Sequence, residues 1–410
     1  MTRPRLLLSE GSSLSAREAI TALGLAGHRI ELASSDPFCL GRFSRFVHRV
    51  HPVPACGADP DGYLAAILRI VRQRAIDVLL PVHEQAYLFA AARRRLPPTL
   101  GIALADFDAF EQVQSKARLA DLLARLQIPQ PETTLVRSPA EFMRPRATPF
   151  FVKAAFGTAS VGVWRVADAR GHAELSTRLV QQGAFEDRLL IQAAVTGTLE
   201  RTQAVFDRGR LVACHIYQQI VEGPGGGDVL KVSVVDDEVR QFVTTIGDAL
   251  TWHGALSFDY IRDANGRPFF IDANPRLVEP MNAWLAGVDL PGALLGVSLG
   301  EHPPVQPAGR AGVLTRLGLM ALLDAARHSK RRRDVLAELI RLATGSGRHH
   351  GALEELVPIR RDPWCVVPLA IVIAKLLSDP ANAAQLSEAT IAAYSLTPQA
   401  IQCLHAWQRT

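Results

Sequence analysis

The stretch FDYIRDANGRPFFIDANPR, residues 258–276, decides how this chain is read. It has the pattern of two short apolar strands joined by a turn over residues 263–267. Asn265-Gly266 is the dipeptide that supplies left-handed backbone angles in a tight hairpin. Asp259 lies on the first strand, and Asp272 and Asn274 on the second. Strand side chains alternate faces, so Asp272, Asn274 and Arg276 share one. Pairing across the hairpin would bring Asp259 beside them. Two carboxylates and an amide oxygen form a hard, oxygen-only ligand set, which suits Mg²⁺ carrying nucleotide phosphates. Arg276 adds a fork of donors for phosphate or carboxylate. Taken singly, polar residues at strand ends often only meet solvent. But Asp272 follows Phe269-Phe270-Ile271, where an unpaired carboxylate is costly.

Around this hairpin lies a chain of 410 residues, 48% hydrophobic and 21% charged, which places it among globular proteins with more than one domain. The net charge of +5 suits anionic ligands such as ATP. No motif of basic and interleaved aromatic residues points to nucleic acid. Cysteines 39, 56, 214, 365 and 403 are far apart, odd in number and without zinc spacing. Reduced thiols and a cytoplasmic location are therefore expected. The N-terminal residues lead into only three leucines, unlike a secretory signal. The longest apolar run, 365–374, is too short to span a bilayer and contains Pro368.

Alternating strands (6–8, 29–33, 77–81) and helices (16–26, 63–74) predict a doubly wound parallel sheet over residues 1–110. No Gly-x-Gly-x-x-Gly follows its first strand, so dinucleotide binding is not expected there. A helix over 115–126 carries Lys116 in its first turn. A strand over 150–153 ends in Lys153 and runs into a loop with Gly157, Ser160 and Gly162. Such a loop can set backbone N–H groups against phosphate oxygens. Strands follow at 188–194, 202–206, 211–217 and 229–234, with a helix over 239–250. After Pro291 the chain is expected to be largely helical, with 303–309 as a linker.

The order of these features resembles the ATP-grasp superfamily, over about residues 1–300. A helix-borne Lys116 comes first, then the strand Lys153 with its glycine loop, then the acidic hairpin closing on Asn274-Pro275-Arg276. Trp252-His253-Gly254 before the hairpin and the segment 282–291 after it look similar too. The likeness is to its biotin carboxylase, carbamoyl phosphate synthetase and carboxylate–amine ligase side. It implies an α/β and α+β architecture: a pre-grasp α/β domain over 1–110, an N-terminal grasp subdomain with a lid over 111–187, a C-terminal grasp subdomain with the metal site over 188–305, and a helical region over 306–410.

The resemblance also implies roles. Lys116 and Lys153 contact ATP phosphates, and residues 157–162, with Gly157, Ser160 and Gly162, form a lid. Gln192, Ala193 and Val195 are the hinge reading adenine. Glu200 lies one position beyond the usual ribose-binding Glu. Asp259, Asp272 and Asn274 hold Mg²⁺, with Mn²⁺ able to substitute. Lys231 lies near the transferred phosphoryl group, and Arg276 stabilises the acyl phosphate. This chain departs from the family at Ala193, where a Glu is usual, and in having Asp at both metal carboxylate positions. Asp259 and Asp272 stand 13 apart, as if the hairpin turn were one residue longer.

The activity implied is activation of a small-molecule carboxylate as an acyl phosphate and its coupling to an amine. A bicarbonate-activating enzyme and a nucleotide-binding regulator without catalysis are the alternatives. His83, Glu84 and Glu279 are substrate candidates; the first two follow the strand at 77–81, at the carboxyl end where doubly wound sheets bind ligands. The run Ser329-Lys330-Arg331-Arg332-Arg333 reads as a solvated helix face, and contact with a membrane surface is not expected. Residues 364–377 read as a buried helix or a dimer interface, with a homodimer as the candidate assembly.

Overall fold

A computed structural model describes residues 3–157, 162–185, 188–386 and 395–409. The first sheet is parallel, with Leu6–Leu8 between Ile30–Ser34 and Val78–Leu80. Leu6–Leu8 and Val78–Leu80 are apolar on both faces because helices cover both. Ser13 caps the helix Leu14–Leu25 by accepting from the Ala16 N–H, and Asp59 caps Pro60–Arg74. A fourth strand, Val47–Pro52, was not expected. Its sequence, Val-His-Arg-Val-His-Pro, lacks an apolar run because it lies half-exposed at the sheet edge.

A second, antiparallel sheet runs in the spatial order Thr133–Val136, Leu189–Ala193, Phe150–Lys153, Val163–Val166. With the helix Ala169–Gln181 it closes its own small core of Phe142, Phe150, Val152, Leu179 and Ile191. Its separation from the larger cores lets this lobe behave as a distinct packing unit.

The third sheet has seven strands. Pro268–Asn274, Gly254–Arg262, Thr198–Asp207, Arg210–Glu222 and Asp228–Val234 follow in spatial order. Alternation splits their side chains. Ala204, Phe206, Phe258, Tyr260 and Phe270 share a core with Val239, Val243 and Ile246 of the helix Asp237–Ala249. Val205, Val212 and Ala255 pack on the other side with the helix Leu290–Ser298 and the first sheet. Gly254, at φ +109°, lies where a Cβ would come 2.6 Å from the Ala103 carbonyl oxygen, so only glycine lets the strand start against the first domain.

The chain after Pro291 is mostly helical, with Gly318–Ser329, Arg332–Thr344, Val366–Ser378 and Pro398–Trp407. Two short strands, Leu314–Arg316 and Leu353–Glu354, nevertheless extend the seven-stranded sheet. Residues 303–309 lack regular structure but are held in place, the Gln306 N–H donating to the Val212 carbonyl at 2.7 Å. The last helix returns to the first domain, where His405 Nε2 lies 2.9 Å from the Tyr87 hydroxyl. Residues 364–377 were expected to form a buried helix or a dimer interface; within the helix Val366–Ser378, Leu376 is the only buried side chain among the described residues.

The hairpin turn differs from the expected form. Gly266 alone is left-handed, at φ +83°; Asn265 is not. Asp263 organises the loop instead, its Oδ1 accepting from the N–H groups of Asn265 at 2.9 Å and Arg267 at 2.8 Å.

Candidate functional site

The polar face of the seven-stranded sheet is built by register. Asp272 faces Asp259 across the hairpin, Asp259 faces Arg201 on the next strand, and Arg201 faces Tyr217 on the one after. One step along, Asn274, Ser257, Gln203 and His215 form a second row. Directly opposed residues point the same way, so these eight side chains share a face.

A β-bulge makes this possible. Asp259 pairs with Asp272, but Tyr260 pairs with Phe270, leaving Ile271 unpaired. Without the extra residue, Phe270 and Asp272 would share a face, and either a phenyl ring would leave the core or a carboxylate would enter it. The thirteenth residue of spacing therefore sits in the strand rather than in the turn. The bulge has a second effect: the Ile271 carbonyl accepts from Lys153 Nζ at 2.8 Å.

Lys116 reaches the same place from the start of its helix. Ser115 caps that helix, and the Lys116 N–H donates to Ala155 at 2.9 Å. Its ammonium pairs with Asp272 Oδ1. Burial lowers the Lys153 ammonium to about 8; Asp272 opposes the shift, and Lys116 adds to it. Burial raises the Asp259 carboxyl above its usual range, against Arg201 at 3.3 Å, while the neighbouring Asp272 carboxylate pushes it further up. A divalent cation would relieve that repulsion. The donors are all oxygen: Asp259, Asp272 and the Asn274 Oδ1, which accepts from Arg276 at 3.2 Å. The residues present fit Mg²⁺.

Arg276 faces the first domain. Its Nε lies 3.6 Å from Glu84 Oε1, and Glu84 also accepts from Gln114 at 3.0 Å. Burial, with Arg276 adding to it, pushes the His83 imidazole well below its usual range, so it is neutral. His83 and Glu84 thus come to the hairpin, as their place at a parallel-sheet carboxyl end implied. Glu10, after the first strand, also acts on Arg276 electrostatically and is buried.

Other expected residues have different surroundings. Lys231 is fully buried and lies 3.0 Å from Glu279 and 2.9 Å from Glu355. Burial opposes its charge, but Glu355 and Glu279 outweigh that and hold the ammonium well above its usual range. Glu279 is thus placed on Lys231 rather than on Arg276. Glu200 accepts from Tyr260 at 2.7 Å and pairs with Arg262 at 3.0 Å. Gln192 is buried and donates to Thr133 Oγ1 at 3.2 Å; the Ala193 N–H donates to Glu132 at 2.9 Å. Val195 follows the end of that strand and is half-buried. Gly157 and Gly162 flank the loop, with Gly162 at φ +78° and its carbonyl accepting from Ala154 at 2.8 Å. Ser160 lies outside the described residues.

Arg201, Asp228, Glu10 and Glu355 are absent from the expected site. Arg201 links Asp259 to Asp228, which in turn lies 4.0 Å from Lys231. Arg201 and Gln203, spaced by two in the strand Thr198–Asp207, are the signal that could have marked this face. Glu355 carries no such signal, because its site forms only when a short strand far along the chain joins the sheet.

No protein-family model matches the chain, and no curated protein matches its sequence. Solved structures do. The biotin carboxylase domain of 2-oxoglutarate carboxylase from Hydrogenobacter thermophilus, in complex with MgADP, ADP and bicarbonate, has a TM-score of 0.62 at 15% identity, over 76% of this chain and 74% of that one. N5-carboxyaminoimidazole synthetase from Staphylococcus aureus with ADP gives 0.60 at 12%, over 79% and 85%. L-amino acid ligase from Bacillus licheniformis gives 0.58 at 16%, over 75% and 78%. The chain has the ATP-grasp fold of these proteins.

Proposed function

We propose that this protein is an ATP-dependent carboxylate–amine ligase, of the acid–amino acid type. The observation that carries the reading is the convergence of Lys116, Lys153 and Arg276 on the hairpin bearing Asp259, Asp272 and Asn274. Lys116 and Lys153 would hold the phosphates of ATP, under a lid at 157–162 that includes Gly157, Ser160 and Gly162. Gln192, Ala193 and Val195 would border adenine, with Glu200 ordering the strand next to it. Asp259, Asp272 and Asn274 would hold Mg²⁺, which when bound screens phosphate charge. ATP-grasp subdomains over 111–187 and 188–305, after a domain over 1–110 and before the region 306–410, complete this reading.

The chemistry follows from electrostatics. A carboxylate carbon is shielded by delocalised charge. Its oxygen attacks the γ-phosphorus, ADP leaves, and the resulting acyl phosphate has a good leaving group. An amine then attacks the carbonyl carbon, loses a proton and expels phosphate. Arg276 stabilises negative charge on the acyl phosphate, and Glu84 fixes its guanidinium. The departing phosphate can take the amine proton, and neutral His83 can orient the amine by a hydrogen bond. Lys231 and Glu279 are buried together and would act on the site only through their charge. A cytoplasmic setting suits five cysteines that are far apart in the sequence, and a homodimer is the proposed assembly.

The test is phosphate and ADP release across a panel of acids and amines. Release should require both substrates. Full release with bicarbonate alone would support the bicarbonate-activating reading instead. Nucleotide binding without turnover on any acid would support a regulator.

A further inference from the structure

Two exposed features of the C-terminal region lie together. The helix Val366–Ser378 and the turn before it carry an apolar stripe: Trp364 is 61% exposed, Val366 44% and Ile371 47%. Ile371 and Lys375, four apart in the helix, share one side, and Trp364 lies in the turn at its start. On the neighbouring helix Arg332–Thr344, Leu336 and Ile340 are exposed as well. Soluble surfaces carry scattered apolar residues; a grouped set marks an interaction face.

The rim of this face is basic. Arg332 donates to the Ser378 carbonyl, which sets the run Lys330 to Arg333 at the carboxyl end of the apolar helix. Lys375 lies on the stripe, and Arg360 and Arg361 are exposed at its other end. Against these cations stand exposed Asp379 and half-buried Asp334, which is 3.6 Å from Arg333. The patch as a whole is positive.

That charge selects the occupant. A twofold pairing of identical copies sets the same patch against itself, placing these cations against each other. An anionic bilayer surface offers what the patch lacks: negative charge for the rim and an acyl boundary for the stripe. Among the described residues no helix is long and apolar enough to cross a membrane, so the fit is to a helix lying in the interface.

We propose that this face, centred on Trp364 and Ile371 and rimmed by residues 330–333, docks the protein on an anionic lipid surface. The apolar helix lies in the headgroup region, and the arginines contact lipid phosphates.

The experiment is co-sedimentation of the full chain with vesicles of phosphatidylcholine alone or mixed with phosphatidylglycerol. The protein should pellet with the mixed vesicles only, and added salt should release it. Two double variants separate the contributions: Arg331→Glu with Arg333→Glu, and Trp364→Ser with Ile371→Ser. Each should weaken vesicle binding by at least about tenfold with an unchanged circular-dichroism melt, since all four side chains are exposed. Wild-type protein that stays in the supernatant overturns the proposal, as does pelleting that survives both variants. A lipid-free dimer broken by the Trp364→Ser, Ile371→Ser variant gives the face to a second copy and overturns it too.

Discussion

Two lysines meet carboxylates on this protein, and their settings are opposite. Lys116 pairs with Asp272, whose side chain is 31% exposed at the rim of the sheet. Lys231 sits among Glu279, Glu355 and Asp228, and both it and Glu355 are 0% exposed. The rim pair can be exchanged: water and ligands reach it, and a cation or a phosphate can replace either partner. The buried cluster cannot be opened without stranding charge. Elements distant in sequence are tied through it, since Glu355 belongs to the C-terminal region and Lys231 to the central sheet. Glu18 of the first helix lies close enough for burial, with Glu355 adding to it and Lys231 opposing, to push its carboxyl well above the usual range.

The sharpest way to break this contrast is to empty the buried site. Lys231→Ala leaves carboxylates without their cation and should cost about 3–5 kcal/mol of stability in urea unfolding. A loss under about 1 kcal/mol would mean the cluster is as exchangeable as the rim. At the rim the expectation inverts. Asp272→Ala should lower phosphate release by at least about a hundredfold, about 3 kcal/mol, while stability changes by no more than about 1 kcal/mol. Equal losses of stability in the two variants would erase the distinction.

A third comparison uses pH. Burial has lowered the Lys153 ammonium to about 8. It is cationic below that pH and neutral above it, whereas bound phosphate favours the cation. ATP affinity should therefore hold steady below the folded pKa and fall as pH rises through it, by up to about tenfold per unit. Lys153→Arg should flatten the profile, because guanidinium keeps its charge. The smallest expected effect is Asp272→Glu, which keeps the charge and lengthens the side chain by one methylene. Metal-dependent turnover should stay within about tenfold of wild type, whereas Asp272→Asn should approach the alanine variant.

The rim was legible in the sequence because its parts are local. The hairpin, its two carboxylates and amide, and the two lysines sit in short periodic segments with clear boundaries. His83 and Glu84 could be placed because strand order in a parallel sheet fixes where its carboxyl ends lie. The bulge at Ile271 was visible only as a spacing, and a spacing does not say whether an extra residue belongs to the turn or the strand. Glu355 and Glu18 were illegible for another reason: their neighbours are hundreds of residues away and are chosen by sheet assembly. The apolar helix Val366–Ser378 has the composition of a core helix, and composition does not tell which surface covers it.

The reading stands or falls on whether Mg²⁺ and ATP bind at the polar face of the hairpin. Isothermal titration calorimetry of Mg²⁺-ATP into wild type and Asp272→Ala, with melting curves alongside, tests it most directly. Wild type should bind saturably and only with Mg²⁺. The variant should melt normally and lose at least about tenfold in affinity. Equal affinity in the two proteins, or no binding by a folded wild type, would contradict it.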